Sequence, residues 1–204
     1  GCYLYSRHSS PSNLYLDQAL AAMEGTEAAN VSASGMGAIT TTLLQFCGNG
    51  DHIVASRTIY GGTYAFLAEY FPTKAGVTTT FVNTSDLGAV EAAITPKTKW
   101  LMLNSPNNPT GAAMSRAELR AIGEVMKKHP HVWIMCDDMY EHLVYGDFEF
   151  DTLAAVVPEL ADRTLTISGV SKTYAMTGWR AGWTIAPKDL TQAFNVIMGH
   201  TRSE

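Results

Sequence analysis

The chain has 204 residues, 46% hydrophobic and 16% charged, enough for one sizeable core and ordinary for a globular domain. A formal charge of −5, with the 14 basic residues scattered along the chain, argues against a nucleic-acid partner and shows no sign of an anionic-membrane surface. No apolar run reaches membrane-spanning length and no signal peptide leads the chain; Cys2, Cys47 and Cys136 lack CxxC spacing, so reduced thiols in a cytoplasmic protein without a metal site are expected.

In chain order, helical apolar spacing covers 13–24 and a short apolar strand follows at 28–32. The alternation continues with helix 36–47, strand 52–55, helix 60–71, strand 78–82, helix 86–94 and strand 100–103. Helix 115–128 and strand 132–136 come next, then strands 164–167 and 181–185, and a last helix at 189–198. Asp86 and Ser115 read as N-caps, the latter with Glu118 three residues on as a capping box. The pattern predicts an α/β domain over residues 1–204, with a mostly parallel central sheet sandwiched by helices.

Four strands end in polar or small residues. Val31 runs into SASGMG, Leu103 into NSPNNPTG, Met135 into CDDMYE and Ile167 into SGVSKTY. Open parallel sheets bind ligands outside the carboxyl ends of their strands, so these four ends suggest one shared site.

Lys172 follows a buried strand, flanked by Gly and Ser. Its position suits a lysine reaching solvent, or an amine desolvated at a cleft floor with its pKa lowered enough to condense with an aldehyde. Arg180, eight residues on, suits a surface ion pair or a fork onto a phosphate. Asp137 ends an apolar strand, where it is either a helix N-cap or the counter-ion of a protonated ring nitrogen. Tyr140, three residues later, and Asn108, in the SPNNPTG turn, could both donate to the oxygen of such a ring. Asp138 reads as solvent-facing or a cap. SASGMGAIT opens a helix with small residues whose backbone N–H groups could surround a phosphate. Tyr60 either packs ordinarily or stacks on an aromatic cofactor.

Together these segments resemble fold-type I enzymes that use pyridoxal 5'-phosphate (PLP). Residues 100–190, through SPNNPTG, DDMYEHLVYGDFEF and SGVSKTYAMTGWRAG, are similar to class I aminotransferases of the aspartate kind. That resemblance implies that Lys172 holds PLP covalently and shuttles the proton, and that Asp137 pairs with the pyridine nitrogen. It assigns Tyr140 and Asn108 to the ring oxygen, and Ser171 and Arg180 to the phosphate. Residues 1–99, through YSRHSSPS, LAAMEGTEAANVSASGMGAI and GDHIVASRTIYGGTYAF, resemble the Cys/Met-metabolism PLP family, especially methionine γ-lyase. There the backbone at Gly35 and Met36 would hold the phosphate, Tyr60 would stack on the ring, and Tyr5 and Arg7 would reach a dimer partner's phosphate. The family's usual YSRxxNPT reads YSRHSSPS here. The change falls near AITPKTKW, residues 93–100, so the chain reads as a composite sequence or a natural intermediate family.

The resemblance leads to an expected large PLP-binding domain cut at both ends, without the small domain that supplies the carboxylate-binding arginine in class I aminotransferases. The first expectation is transamination between an amino acid and a 2-oxo acid, in a homodimer. The second is γ- or β-elimination from sulfur amino acids. The third is a fragment that binds PLP without turnover.

Overall fold

The computed structural model describes residues 10–201. Tyr5 and Arg7 lie outside the described residues.

The first helix, α1 (Pro11–Met23), begins with Pro11, whose missing N–H is no loss in a first turn, and Asn13 N donates to the N-cap Ser10 hydroxyl at 3.2 Å. Strand β1 (Ala28–Ser32) leads through Ala33 and Ser34 into α2 (Gly35–Phe46), capped by a Gly37 N–H to Ser34 Oγ bond of 2.9 Å. After β2 (His52–Ser56) comes α3 (Gly61–Ala65), a π-helical stretch (Phe66–Tyr70) and α4 (Phe71–Ala75). The single helix expected over 60–71 thus has three parts, and it stops at Gly76, whose φ of 67° is the left-handed helix end that glycine adopts without strain. β3 (Thr78–Val82), α5 (Leu87–Ala93) and β4 (Thr98–Asn104) follow, then α6 (Arg116–Lys127) and β5 (Trp133–Asp137). Asp86 caps α5 and Ser115 opens α6 with the expected Glu118 capping box. The last part holds α7 (Leu153–Val156), β6 (Thr164–Gly169), α8 (Val170–Thr173), β7 (Gly182–Ala186) and α9 (Lys188–Thr201).

All seven expected strands form one sheet in the order β1-β7-β6-β5-β4-β2-β3. The pairs among β6, β5, β4, β2 and β3 are parallel, while β7 is antiparallel to both β1 and β6. Because β7 alone is reversed, β1 runs with the other five. The carboxyl ends of six strands and the start of β7 therefore share one edge. The interior strands β2 and β4 are almost wholly buried, as expected of strands covered on both faces, while β3 at the margin alternates exposed threonines with inward residues.

One face carries a core of Leu43, Ile53, Leu67, Phe71, Trp100 and Ile167 beneath α2, α4 and α9. The other holds Leu101, Ile122, Met126, Ile134 and Leu160 around α6 and α7. A smaller group, Leu20, Ala29, Trp183 and Ile185, seats α1 on β1 and β7. No helix among the described residues is long and apolar enough to cross a membrane.

Candidate active site

The carboxyl edge opens into a cleft of about 190 Å3. Its walls come from segments distant in sequence. Gly35 and Met36 enter from the first turn of α2, and Tyr60 from the loop after β2. Asn108 comes from the turn after β4, Asp137 and Tyr140 from the end of β5, and Ser171 and Lys172 from α8. Arg180, just before β7, closes the ring. Nine of the eleven residues expected at the site thus line one cleft; the other two are Tyr5 and Arg7.

Asp137 is 8% exposed. Burial pushes its carboxyl up to about 6, and the opposing influence is the Met139 N–H, 3.4 Å from Oδ1. No cationic partner stands beside it among the described residues. A buried carboxylate of this kind favours either its own proton or a cationic group brought into the cleft.

Asn108 and Tyr140 meet directly, the Asn108 Nδ2 donating to the Tyr140 hydroxyl at 3.1 Å. The Lys172 ammonium lies 5.7 Å from the centre of the Tyr140 ring. Lys172 is nevertheless exposed on the single-turn helix α8, so of the two placements its position suited, the structure has the lysine reaching solvent and not the one desolvated at a cleft floor. Arg180 is exposed as well, with Nη1 donating to the Thr177 carbonyl at 3.0 Å. Ala175 and Arg180, neither of them glycine, both sit in the left-handed region, at φ 52° and 51°. Such residues cost on the order of 1–3 kcal/mol each and concentrate at functional sites.

At the α2 end of the cleft, two glycines stand where a side chain would collide with its neighbours. A Cβ on Gly182 would sit 2.6 Å from Gly35 N and from Ser34 C, and one on Gly35 would meet Met139 Cε at 2.5 Å. Glycine at 182 lets the first turn of α2 press against β7, while at 35 the neighbour is the flexible end of the Met139 side chain.

Asp138 departs from its expected solvent-facing or capping role. It is 4% exposed, its Oδ2 has no hydrogen-bond partner among the described residues, and burial raises its pKa well above the carboxylate range. Its neighbour Asp137 ends a strand in the sheet interior, so the next residue turns inward beneath β6, with its N–H bonded to the Ile167 carbonyl at 3.0 Å. The cleft also contains Ser34, Asn104, Met139 and Thr177, which motif reading passed over. Asn104 carried a legible signal, a polar residue closing an apolar strand. Thr177 lay within the Lys172–Arg180 run without one.

Three comparisons bear on this geometry. The family model for Cys/Met metabolism PLP-dependent enzymes matches residues 1–145. The aspartate/prephenate aminotransferase of Cereibacter sphaeroides is 56% identical over 129 residues, 63% of this chain and 32% of the relative. A probable aspartate/prephenate aminotransferase of Rickettsia bellii is 42% identical over 178 residues, 85% of this chain and 44% of the relative, so its match overlaps that of the family model. The crystal structure of the Rhizobium meliloti aspartate aminotransferase superposes with a TM-score of 0.78 at 37% identity, covering 86% of this chain and 44% of that one. The chain thus spans less than half the length of these relatives. With a family model matched over most of its length and a fold shared with aspartate aminotransferase, this chain belongs to the Cys/Met metabolism PLP-dependent enzymes, of fold type I.

Proposed function

We propose that this chain is the cofactor-binding domain of a PLP-dependent aminotransferase, acting between an amino acid and a 2-oxo acid. The observation that carries the reading is the buried, cation-free Asp137 carboxyl sharing a cleft with one amine, Lys172, and one amide–phenol pair, Asn108 and Tyr140. This set fits PLP at each edge: an acceptor for a ring nitrogen, donors for a ring oxygen, an amine for an aldehyde.

When bound, pyridoxal phosphate supplies that aldehyde and an electron-withdrawing ring able to stabilise negative charge at a substrate Cα. Asp137 would keep the ring nitrogen protonated. Asn108 and Tyr140 would hold the ring oxygen, and Tyr60 would cover a ring face. The α2 N–H groups at Gly35 and Met36, the Ser171 hydroxyl and the Arg180 guanidinium would take the phosphate. Lys172 would anchor the aldehyde carbon through Nζ, and the same Nζ would hold and move the proton at a substrate Cα.

Aminotransferase chemistry is favoured over elimination by the relatives at 42–56% identity, the known and probable aspartate/prephenate aminotransferases described above. The family match over residues 1–145 supports the second reading, a lyase acting on sulfur amino acids. A homodimer and a cytoplasmic setting belong to the same proposal; Cys47 and Cys136, both free thiols, suit a reducing compartment.

The test is an absorbance spectrum with PLP, before and after borohydride, on wild type and Lys172→Ala. A visible band that borohydride fixes to the wild-type chain alone is expected. No band in either protein, or equal fixation in both, overturns the assignment. Aspartate with 2-oxoglutarate, against methionine with detection of a thiol and α-ketobutyrate, then separates transamination from elimination. A fixed cofactor with neither product marks a binding domain without turnover.

A further inference from the structure

We propose that Asn104 and Asn107 are positioning residues: their two amides form a buried frame that fixes the ring-oxygen donors Asn108 and Tyr140 relative to Asp137 and to the segment bearing Tyr60. The inference rests on the cofactor reading above and adds to it two residues to which no role has been given.

Asn104 and Asn107 are 7% and 8% exposed. Buried amides stay in place only when their donors and acceptors are matched. Asn104 Nδ2 donates to the Asp137 backbone carbonyl at 3.1 Å. Its Oδ1 accepts from Asn107 Nδ2 at 3.0 Å and from the Asn108 N–H at 3.4 Å. Asn107 Nδ2 also donates to the Thr58 carbonyl at 2.9 Å, two residues before Tyr60. Its Oδ1 accepts from the Thr110 hydroxyl at 2.7 Å and N–H at 3.1 Å.

Three strand ends are therefore joined by two side chains: β2 through Thr58, β4 through Asn104 itself, and β5 through Asp137. These are the segments that carry the ring-stacking residue, the ring-oxygen amide and the ring-nitrogen acid. Asn104 and Asp137 are also register partners across β4 and β5, so the amide sits at the base of the acid it steadies. The Asn107 Nδ2 has two hydrogens, each committed to a different segment. Rotating that amide breaks both links at once, which makes the frame stiff. An aspartate at 104 would set an acceptor against the Asp137 carbonyl, and an apolar residue would leave that carbonyl and the Asn107 amide unmatched.

The function of such a frame is spacing. A ring gripped at its nitrogen by Asp137 and at its oxygen by Asn108 and Tyr140 needs those groups a fixed distance apart. If the frame loosens, the Asn108 donor withdraws from the ring oxygen. A proton held on that edge is then lost less readily, and the pH midpoint of the cofactor's visible band rises.

The experiment uses the full 204-residue chain with pyridoxal phosphate: wild type, Asn104→Ala and Asn107→Ala, with circular dichroism to check the fold. The expected result is a rise of about half a pH unit or more in the band midpoint and a roughly tenfold weaker cofactor Kd for Asn104→Ala, from the loss of buried hydrogen bonds. Asn107→Ala should shift both in the same direction by less, and it decides the question if Asn104→Ala does not fold. Folded variants that keep the wild-type midpoint and Kd, losing thermal stability only, overturn the inference and leave both amides as packing elements. A wild-type chain with no cofactor band removes the underlying reading instead, so the two failures are told apart.

Discussion

The Asp137 carboxyl makes the cofactor-free chain less stable at neutral pH than an uncharged isostere would. Its pKa is about 6 in the folded chain against an ordinary 3.8, because burial penalises the anion. Between those values the native state holds a proton that the unfolded chain has lost. The stability this group lends is therefore full below 3.8 and is lost as pH rises through about 6. The difference corresponds to about 3 kcal/mol. Asp137→Asn should raise the cofactor-free unfolding free energy at pH 7 by up to that amount, and change it little at about pH 3.5. The same substitution should weaken PLP uptake, since an amide cannot keep a ring nitrogen protonated. Denaturant melts at both pH values, paired with a PLP titration, check this; a variant destabilised at pH 7 contradicts the assignment of Asp137 as a site held against stability. His52 titrates in the opposite sense. Its ring nitrogens lie 2.8 Å from Thr98 Oγ1 and 2.9 Å from Thr80 Oγ1, and burial lowers its pKa below 6.5. Its contribution is present above 6.5 and is lost as pH falls through the folded value, so His52→Gln should flatten the acid side of the stability–pH curve.

At the level of elements, the strands were legible and some of their surroundings were not. The runs at 52–55 and 100–103 stand out because those interior strands are covered on both faces and are nearly all apolar, while 28–32 and 78–82, at the two margins of the sheet, are short runs set off by the helical patterns around them. The capping box at Ser115 was readable because its two partners are local. The reversal of β7 was not readable, because direction depends on pairing with β1 and β6, about 150 residues apart for β1. The π-helical stretch at Phe66–Tyr70 was equally hidden, since its periodicity is close to that of an α-helix. Another long-range device closes α6. Arg163 sends Nη1 to the carbonyls of His129 and Val132 and Nη2 to that of Met126, tying the last turn of α6 to the loop that follows it, at a helix end where the dipole favours a cation. Arg163→Ala should cost roughly 1.5–3 kcal/mol of global stability, measurable by denaturant unfolding, with Arg163→Lys recovering only part because an ammonium cannot fork across three carbonyls.

For the molecule as a whole, the site exists because six strand ends and one strand start meet at a single edge. Sequence motifs pointed to the residues that line this cleft, since polar residues at apolar strand ends are conspicuous, but they could not show how tightly the pieces are drawn together. That tightness is set where β7 passes beneath α2. Gly182 is paired with Ser32 on one side and Gly169 on the other, which places it between β1, feeding α2, and β6, feeding Lys172. A Cβ there would lie 2.6 Å from Gly35 N and Ser34 C and 2.9 Å from Ser34 O, all backbone atoms that cannot rotate away. Gly182→Ala must therefore lift the first turn of α2 off the sheet, withdrawing the N–H groups assigned to the phosphate. The expected cost is about 1–3 kcal/mol of stability, with PLP affinity falling further than that of a variant with a comparable stability loss elsewhere, such as Arg163→Ala. Gly178→Ala is the matched control, because a Cβ at Gly178 meets nothing within 4 Å. Equal PLP affinity in the Gly182 and Gly178 variants would mean that the α2 turn does not hold the phosphate, and would move that role to Ser171 and Arg180.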